Sequence, residues 1–534
     1  MEKKFDYIVV GAGSAGCVLA NRLSESGKYN VCLIEAGPED KNMWIHIPIG
    51  YGKTMFSDKL NWKFETQADP HMNGRAFYWP RGKTLGGCSS INGLIYIRGQ
   101  KQDYDRWSEL GNQGWSWEEC LPYFKRLETN DLPESPTRGH AGPLTASSIP
   151  PGNELVDAFI SAAQKEGIPR VDDFNSGEQF GVGYYQLTTK NGFRQSTAVA
   201  YLRPARKRPN LTVKTEHLVH RVLIENNKAV GIEVSHKDER PFILRAKKEV
   251  ILSAGALQSP QILMLSGIGP GEHLQQMGIP VTRDLPGVGQ NLQDHLQLRL
   301  FYEVAKPITT NDQLRTLWGK SKIGLQWLLT KKGPLAIGIN QGGAFCYALP
   351  EENTTPDIQF HFGTISADQA GGDVHPFSGC TFSVCQLRPE SRGYIHLKSP
   401  DPKHPPAMHP NYLSTDFDQR TAIEAVKVTR RIADAKPLSD LLVREHLPGR
   451  DSHSDEEILE FCKNYGATIF HPVGTAKMGT HRDPTAVVDE QLRVYGIDGL
   501  RVVDASMMPT IVSGNTNVPV VMIAEKAAEM ILQQ

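Results

Sequence analysis

The feature of this sequence that most constrains its fold is a glycine fingerprint near the start, YIVVGAGSAGCVLA at 7–20. Strand-forming residues lead into Gly11, Gly13 and Gly16 at the spacing G-x-G-x-x-G, and a helical pattern follows. Gly11 permits a tight turn, Gly13 lets the backbone approach a pyrophosphate, and Gly16 lets the helix pack closely on the strand. Because a helix N-terminus attracts phosphate, the pattern predicts a strand–turn–helix unit that binds a dinucleotide.

An acidic residue at a fitting distance supports this interpretation. The run 31–34 predicts a second strand, and Glu35 follows it, nineteen residues after Gly16. A carboxylate there would accept hydrogen bonds from a ribose diol and would repel a 2′-phosphate, so NADP is disfavoured. The fingerprint alone leaves FAD and NAD as alternatives.

Length and composition restrict the remaining choices. A chain of 534 residues is too long for one compact core, so two or more lobes are expected. The formal net charge of −1 predicts no nucleic-acid partner. No apolar run is long enough to span a bilayer, and the first residues do not resemble a secretory signal. The eight cysteines are scattered without metal-ligand spacing, which is typical of reduced thiols in a cytoplasmic protein.

Later segments predict how the lobes are built. KEVILSAGA (248–256) and LRVVDAS (500–506) are predicted strands, and a helix is expected after each of them. Between about 302 and 462, alternating strand-like runs such as PDIQFHFGTI indicate antiparallel strands with one solvated face. The fold class expected is therefore α/β, or α+β in two lobes: a Rossmann-like nucleotide-binding lobe made from separated segments, and a second lobe carried on an antiparallel sheet.

Three further motifs carry a family resemblance. They are RGKTLGGCSSINGLIYIRG (81–99), HPVGTAKMG (471–479) and VVDASMMPTIVSGNTNVPVVMIAEKAAEMI (502–531). Together with the fingerprint, and in the same order, they resemble the glucose–methanol–choline (GMC) family of FAD oxidoreductases, and in particular its bacterial choline-dehydrogenase-like and aliphatic alcohol dehydrogenase members. The resemblance implies an FAD-binding lobe with inserted flavin-loop and lid segments at 1–301, a substrate lobe at 302–462, and a return to the FAD lobe at 463–534.

The resemblance also implies which residues bind FAD. The 81–99 loop would lie along the flavin, Val219 would meet the adenine, and the segment from Asn515 would border the flavin ring. Family members that tether FAD covalently carry a histidine where this chain has Ile91, so FAD is expected to be held non-covalently. The implied set is Gly11, Gly13, Ser14, Ala15, Gly16, Glu35, Ala36, Arg81, Thr84, Gly86, Gly87, Asn92, Gly93, Leu94, Ile95, Val219, Ser253, Ala254, Gly255, Asp504, Ala505, Asn515, Thr516, Asn517 and Val518.

Two residues match the catalytic positions of the family. His471 occupies the position of the base, and a histidine suits that role because its pKa lies near working pH. Asn515 occupies the second position, where an amide can hydrogen-bond the substrate oxygen but cannot readily take its proton. His295, in GVGQNLQDHLQL, also lies in a family motif and is interpreted as structural. No metal site is expected.

The resemblance implies oxidation of a primary alcohol to an aldehyde, with hydride transfer to flavin N5 and electrons passed to quinone or another non-oxygen acceptor. A choline dehydrogenase, an alcohol oxidase using O2, a flavin lyase or decarboxylase on the same fold, and a non-enzymatic FAD-binding protein stay open as alternatives. Choline would require an aromatic cage with a nearby carboxylate. The sequence does not identify the alcohol, the acceptor or the oligomeric state.

The segment 314–335 bears on location. A basic amphipathic surface here could rest on the inner face of a membrane, or the segment could be a lobe-packing helix with a solvated basic edge; both interpretations stay open. The residues concerned are the apolar Leu314, Leu317, Trp318, Trp327, Leu328 and Leu329, and the basic Arg315, Lys320, Lys322, Lys331 and Lys332.

Overall fold

A computed structural model describes residues 4–368 and 372–534. The first three residues of the lobe predicted at 1–301, and 369–371 of the lobe predicted at 302–462, lie outside the described residues. The longer helices span Ser14–Ser24, Lys101–Glu109, Trp117–Leu127, Glu154–Lys165, Gln258–Leu265, Leu317–Thr330, Asp416–Asp434, Asp455–Tyr465 and Asn517–Leu532. The shorter α-helices are Met43–His46, Tyr51–Thr54, Arg203–Ala205, Gly271–Gln276 and Thr310–Leu314.

The first of two large sheets has seven strands and contains the fingerprint. Its central strand, Lys4–Val10, runs parallel to both Val31–Ile34 and Phe242–Leu252. The other members are the parallel strands Leu211–Lys214 and Leu500–Val502 and the antiparallel strands His217–Glu225 and Lys228–His236. The carboxyl ends of the five parallel strands meet at one edge of the sheet. The residues that follow four of them line the same cavity: Gly11, Glu35, Ser253 and Asp504.

The glycines of the fingerprint fit the predicted roles. Gly11 has a φ of +96°, and a Cβ there would lie 2.5 Å from the Ser253 carbonyl oxygen. A Cβ on Gly16 would lie 1.8 Å from the Gly11 carbonyl oxygen, so only glycine lets the helix sit this close to the strand. Gly13, by contrast, has open space beside it: a Cβ there would have its nearest contact at 3.9 Å, with the Ser253 carbonyl oxygen. The predicted strand, turn and helix are confirmed.

The second large sheet also has seven strands, and it is antiparallel, as predicted. Helices Glu154–Lys165 and Asp416–Asp434 pack on it. Several strands come from outside 302–462, so the two lobes interleave along the chain. Its strands are Gly181–Tyr184, Leu296–Val304, Asn340–Cys346, Ile358–Gly363, Gly379–Gln386, Leu442–Leu447 and Ala467–Thr468.

One expectation about this sheet is wrong, because its polar face is not solvated. All six residues of Ile358–Gly363 are buried, and His361 lines an internal cavity. The alternation that predicted a solvent-facing side therefore marks an enclosed polar wall. Small sheets and ladders complete the fold, formed by Phe64–Glu65, Tyr78–Trp79, Glu128–Asn130, Leu144–Ser148, Gln186–Leu187, Thr189–Lys190, Phe193–Arg194, Ile268–Gly269, Arg283–Asp284, Tyr394–His396 and Ala407–His409.

The helix Leu317–Thr330 lies on the surface with most of its apolar side chains uncovered. It buries Ile323 and Trp327, and Trp327 packs with Ile47 and Ala336. The large apolar side chains that it exposes are Leu317, Trp318, Leu325, Leu328 and Leu329. Across 4–368 and 372–534, no helix is both long and apolar enough to cross a membrane.

Candidate active site

One cavity of about 1210 Å³ joins the carboxyl edge of the first sheet to the polar face of the second. This volume exceeds that of most small-molecule sites, as a dinucleotide and a substrate together require. Most of the sequence-predicted site residues line it, including His471. The predicted cofactor residues that line it are Gly11, Gly13, Ser14, Ala15, Glu35, Ala36, Arg81, Gly87, Asn92, Gly93, Leu94, Ile95, Val219, Ser253, Ala254, Gly255, Asp504, Ala505, Asn515, Thr516 and Asn517.

Four of the predicted cofactor residues do not line the cavity. Gly16 is buried between helix and strand, and Val518 is buried inside the C-terminal helix. Gly86 donates its N–H to the Ala12 carbonyl oxygen at 2.7 Å, and Thr84 bonds the Pro38 carbonyl oxygen at 2.9 Å. These residues support the wall from behind, and their direct contact with FAD stays a prediction.

Two helix N-termini meet at the dinucleotide end of the cavity. The helix Ser14–Ser24 begins after Gly13 with no side-chain cap and no acidic residue in its first turn. The helix Asn517–Leu532 has the same two properties. The Ser14 hydroxyl donates to Asn517 Oδ1 at 2.7 Å, which holds the two ends together. The uncapped N–H groups of the two helices lie beside the open space at Gly13, where they can donate hydrogen bonds to a pyrophosphate.

Polar groups further along this end fit the ribose side of FAD. Glu35 is buried, and its carboxylate accepts from the backbone N–H of Ala12 at 3.0 Å and of Gly37 at 2.8 Å. Burial raises the pKa of Glu35 to about 7 although these bonds oppose the shift. The Ser253 hydroxyl is buried without a hydrogen-bond partner among the described residues. Such an orphaned group is the kind that a bound ligand satisfies.

The 81–99 loop, which is predicted to lie along the flavin, packs directly on the fingerprint. A Cβ on Gly87 would lie 2.7 Å from the Gly13 Cα, so glycine at position 87 allows loop and turn to touch. The buried Arg194 donates to Asn92 Oδ1 at 2.7 Å and to the Ser89 carbonyl oxygen at 3.1 Å, which fixes the loop. Ile91 faces the cavity with an aliphatic side chain.

His471 and Asn515 lie together at the other end of the cavity, as the resemblance implied. Asn515 Nδ2 is 3.3 Å from His471 Nε2. The Asn515 Oδ1 accepts from Gln359 Nε2 at 3.2 Å. The His471 backbone N–H donates to Asp294 Oδ1 at 2.7 Å, and Asp294 is held in turn by Thr468 and Tyr412. Both side chains are therefore fixed by neighbours on separate segments.

A chain of hydrogen bonds determines which nitrogen of His471 carries its proton. His295 Nε2 lies 2.9 Å from the Leu387 carbonyl oxygen, which can only accept, so that nitrogen must carry a hydrogen. A neutral His295 then has a bare Nδ1, which lies 3.0 Å from His471 Nδ1. His471 must donate there, which leaves its Nε2 unprotonated and next to the Asn515 amide donor. The basic lone pair belongs to the nitrogen beside Asn515.

The electrostatics keep both histidines neutral. Burial lowers the pKa of His295 to about 4. Burial also lowers the pKa of His471 well below its ordinary value, and the nearby His295, His361 and Arg81 add to the shift in the same direction. His471 is therefore an unprotonated base throughout the neutral range. His295, interpreted from sequence as structural, contacts this base and orients it.

Sequence reasoning missed three polar residues on the enclosed face of the second sheet. His361 is buried beside Asn515, and neither of its ring nitrogens has a hydrogen-bond partner among the described residues. Gln297 and Arg299 line the cavity on the strand Leu296–Val304. The alternation of polar and apolar residues along Ile358–Gly363 was the available signal, but it predicts equally a face exposed to solvent.

Comparisons with known proteins agree with this geometry. Two family models, both described as GMC oxidoreductase, match residues 5–297 and 389–524. The chain is 43% identical over 533 residues to an alcohol dehydrogenase [acceptor] of Pseudomonas putida, covering 99% of this chain and 96% of that protein. It is 42% identical to an oxygen-dependent choline dehydrogenase of Photobacterium profundum, covering 100% and 94%. Among solved structures, pyridoxine 4-oxidase from Mesorbium loti superposes with a TM-score of 0.89 at 32% identity, covering 99% of each chain.

Proposed function

Because this chain belongs to the GMC oxidoreductase family, we propose that its cavity oxidises a primary aliphatic alcohol to the aldehyde. The chain is an FAD-dependent oxidoreductase that acts on CH–OH donors. FAD, when bound, supplies the acceptor for the hydride. We further propose that it is held without a covalent bond, since the tethering position carries Ile91.

The protein's own contribution is a positioned base. The observation that carries the proposal is the chain from the Leu387 carbonyl through His295 to His471, which leaves a basic Nε2 facing the cavity. His471 would take the hydroxyl proton of the alcohol at that atom. Asn515 would donate a hydrogen bond to the same oxygen as negative charge develops on it. These two roles need no further ionisable group.

The cavity wall on the strand that follows His295 favours a substrate without a positive charge over choline. The strand that carries His295 continues into Gln297 and Arg299, an amide and a cation, on the side that faces the cavity. A quaternary ammonium is stabilised by aromatic faces and carboxylates. The carboxylates among the described residues that line the cavity are Glu35, Asp368 and Asp504, and Glu35 and Asp504 lie at the dinucleotide end. Choline dehydrogenase is therefore the second candidate.

The test is an anaerobic titration of the FAD-loaded protein with octanol, benzyl alcohol and choline, followed by absorbance. We expect octanol to bleach the flavin and choline to do so poorly. Faster bleaching by choline than by octanol would overturn the substrate assignment. No bleaching by any alcohol would leave a lyase, a decarboxylase or a non-enzymatic flavoprotein. Reoxidation is then followed with a quinone analogue and, separately, with O2; we propose that the quinone is faster.

We also propose that the helix Leu317–Thr330 rests on an anionic lipid surface on the inner face of a membrane. Leu317 and Leu329 are 84% and 75% exposed, on a helix that exposes three further large apolar side chains. The exposed Lys320, Lys322 and Lys332 have no ion-pair partner among residues 4–368 and 372–534. Apolar side chains flanked by unpaired lysines complement a negatively charged lipid interface, and a nearby membrane would supply a quinone acceptor.

Sedimentation with vesicles tests this contact. We expect the protein to pellet with vesicles containing anionic phospholipid and to stay in solution with purely zwitterionic ones. The double variant Trp318→Ser/Leu329→Ser should lose binding, whereas Val443→Ser, which removes an exposed apolar side chain elsewhere, should not. Wild-type protein that stays in the supernatant, or that covers this helix by self-association in analytical ultracentrifugation, would contradict the proposal.

A further inference from the structure

A row of polar residues crosses the second sheet from His361, beside Asn515, to Arg299. His361 pairs in register with Ser383, and Ser383 pairs with Arg299 on the next strand. All three line the cavity. Neighbouring strands are about 4.8 Å apart, so the Arg299 backbone lies roughly 10 Å from that of His361. The row therefore connects the neighbourhood of Asn515 to a cationic group at a fixed separation.

The guanidinium of Arg299 has only neutral partners. Its Nη2 donates to the Ala367 carbonyl oxygen at 3.1 Å and its Nη1 to that of Asp368 at 3.4 Å. The Asp368 carboxylate accepts instead from His375 Nε2 at 3.1 Å. Within the described ranges, no carboxylate lies within ion-pair distance of Arg299. Burial lowers the pKa of Arg299 to about 10, although the nearby Asp368 carboxylate opposes this shift.

Three other buried arginines are paired with carboxylates, whereas the buried Arg194 is held by carbonyl oxygens and Asn92 and is not among the residues that line the cavity. Arg98 lies 2.7 Å from a Glu128 oxygen, and Arg138 lies 2.9 Å from the other. Arg501 lies 2.7 Å from Glu249. Arg299 differs from Arg194 because it lines the cavity, where a ligand can supply the missing negative charge. A guanidinium is the side chain best shaped to receive a carboxylate in two hydrogen bonds.

We propose that Arg299 is a specificity residue that binds a carboxylate at the far end of the alcohol. The substrate class is then a medium-chain hydroxy acid, with its primary hydroxyl at His471 and its carboxylate at Arg299. This inference rests on the proposed function, because it places the carbinol beside His471. Apolar side chains, among them Phe301 and Ile365, line the same cavity and can contact a methylene chain.

The first arm of the test compares substrates that differ in charge at the far end. ω-Hydroxyoctanoate and its methyl ester are matched in length, and kcat/KM is measured for both with the FAD-loaded enzyme. A charge-assisted hydrogen-bonded pair predicts a preference of about 10- to 100-fold for the acid in wild type. In Arg299→Gln the ratio should fall to near one, mainly through a higher KM for the acid, and Arg299→Lys should restore part of it. Arg444→Gln, which removes a surface arginine paired with Glu303, should leave the ratio unchanged.

The second arm needs no turnover. Binding of octanoate and of octanol to the FAD-loaded protein is measured by calorimetry, and we expect tighter binding of octanoate in wild type but not in Arg299→Gln. Equal binding of the two ligands by wild type, or equal loss of both in the variant, would show that Arg299 only anchors the segment at Ala367 and would overturn the inference. Octanoate selectivity without reduction by any alcohol would instead contradict the proposed function and retain the carboxylate site.

Discussion

Replacing His295 with leucine should impair the proposed base, His471, although His471 itself is unchanged. In wild type, the Leu387 carbonyl fixes the His295 proton on Nε2, and His295 Nδ1 then accepts from His471 Nδ1 at 3.0 Å. Leucine is of similar size but offers no acceptor. The variant therefore leaves the Nδ1–H of His471 unpaired inside a buried site.

The size of the effect follows from that unpaired donor. A buried N–H without a partner costs about 1–3 kcal/mol. This free energy favours the other neutral tautomer of His471, in which Nε2 carries the proton and cannot accept one from the alcohol. A penalty of this size lowers the population of the competent tautomer by roughly 5- to 150-fold. We expect the reduction of FAD by saturating alcohol to slow by about the same factor, because the chemical step needs that tautomer.

Anaerobic stopped-flow absorbance measures this rate directly, after FAD content and melting temperature show that the variant is folded and loaded. Raising the pH should not rescue it, since both tautomers are neutral. His140→Leu is the matched control, because His140 is exposed and its ring contacts the Asn130 carbonyl oxygen at 3.2 Å, away from His471. Reduction within about threefold of wild type, well inside the smallest change expected from an unpaired buried donor, would refute the assignment of the His471 proton.

Three further outcomes follow from the same contacts. Glu35→Lys should weaken FAD retention on gel filtration, because it removes a ribose acceptor and the partner of two backbone N–H groups; unchanged FAD content would end the ribose assignment. Asn515→Ala should slow flavin reduction by about 10²- to 10³-fold with FAD still bound, because the substrate oxygen loses a hydrogen-bond donor as negative charge develops on it. A near-normal rate in stopped flow would exclude Asn515 as that donor. Burial depresses the folded pKa of His361 to about 4, below its unfolded value, so the stability that neutral His361 contributes is full above pH 6.5 and declines as pH falls. Between pH 7 and 5, wild type should lose about 2 kcal/mol more unfolding free energy than His361→Phe in urea titrations, and equal losses would contradict the shift.

The fingerprint was predictable from sequence because its constraints are local. Gly11 has a positive φ and Gly16 lies against the Gly11 carbonyl oxygen, so both need glycine for reasons that arise within one strand–turn–helix unit. The antiparallel character of the second sheet was also predictable, since alternation along one strand is a local pattern.

What could not be predicted depends on contacts between distant segments. His295 and His471 are 176 residues apart, and no local pattern predicts that their ring nitrogens meet. The polar faces of Ile358–Gly363 and Leu296–Val304 have the same alternation as a solvated strand, because periodicity reports that one side is polar but not what covers it. Arg299 was missed for this reason.

The central claim, that His471 Nε2 takes the alcohol proton, is tested most directly by single-turnover reduction of FAD in His471→Ala across pH. Loss of a positioned general base predicts a protein that keeps its FAD but is reduced about 10²- to 10⁴-fold more slowly, with the rate rising toward alkaline pH as the alcohol ionises unaided. A variant that is reduced as fast as wild type, with the same dependence on pH, would contradict the account.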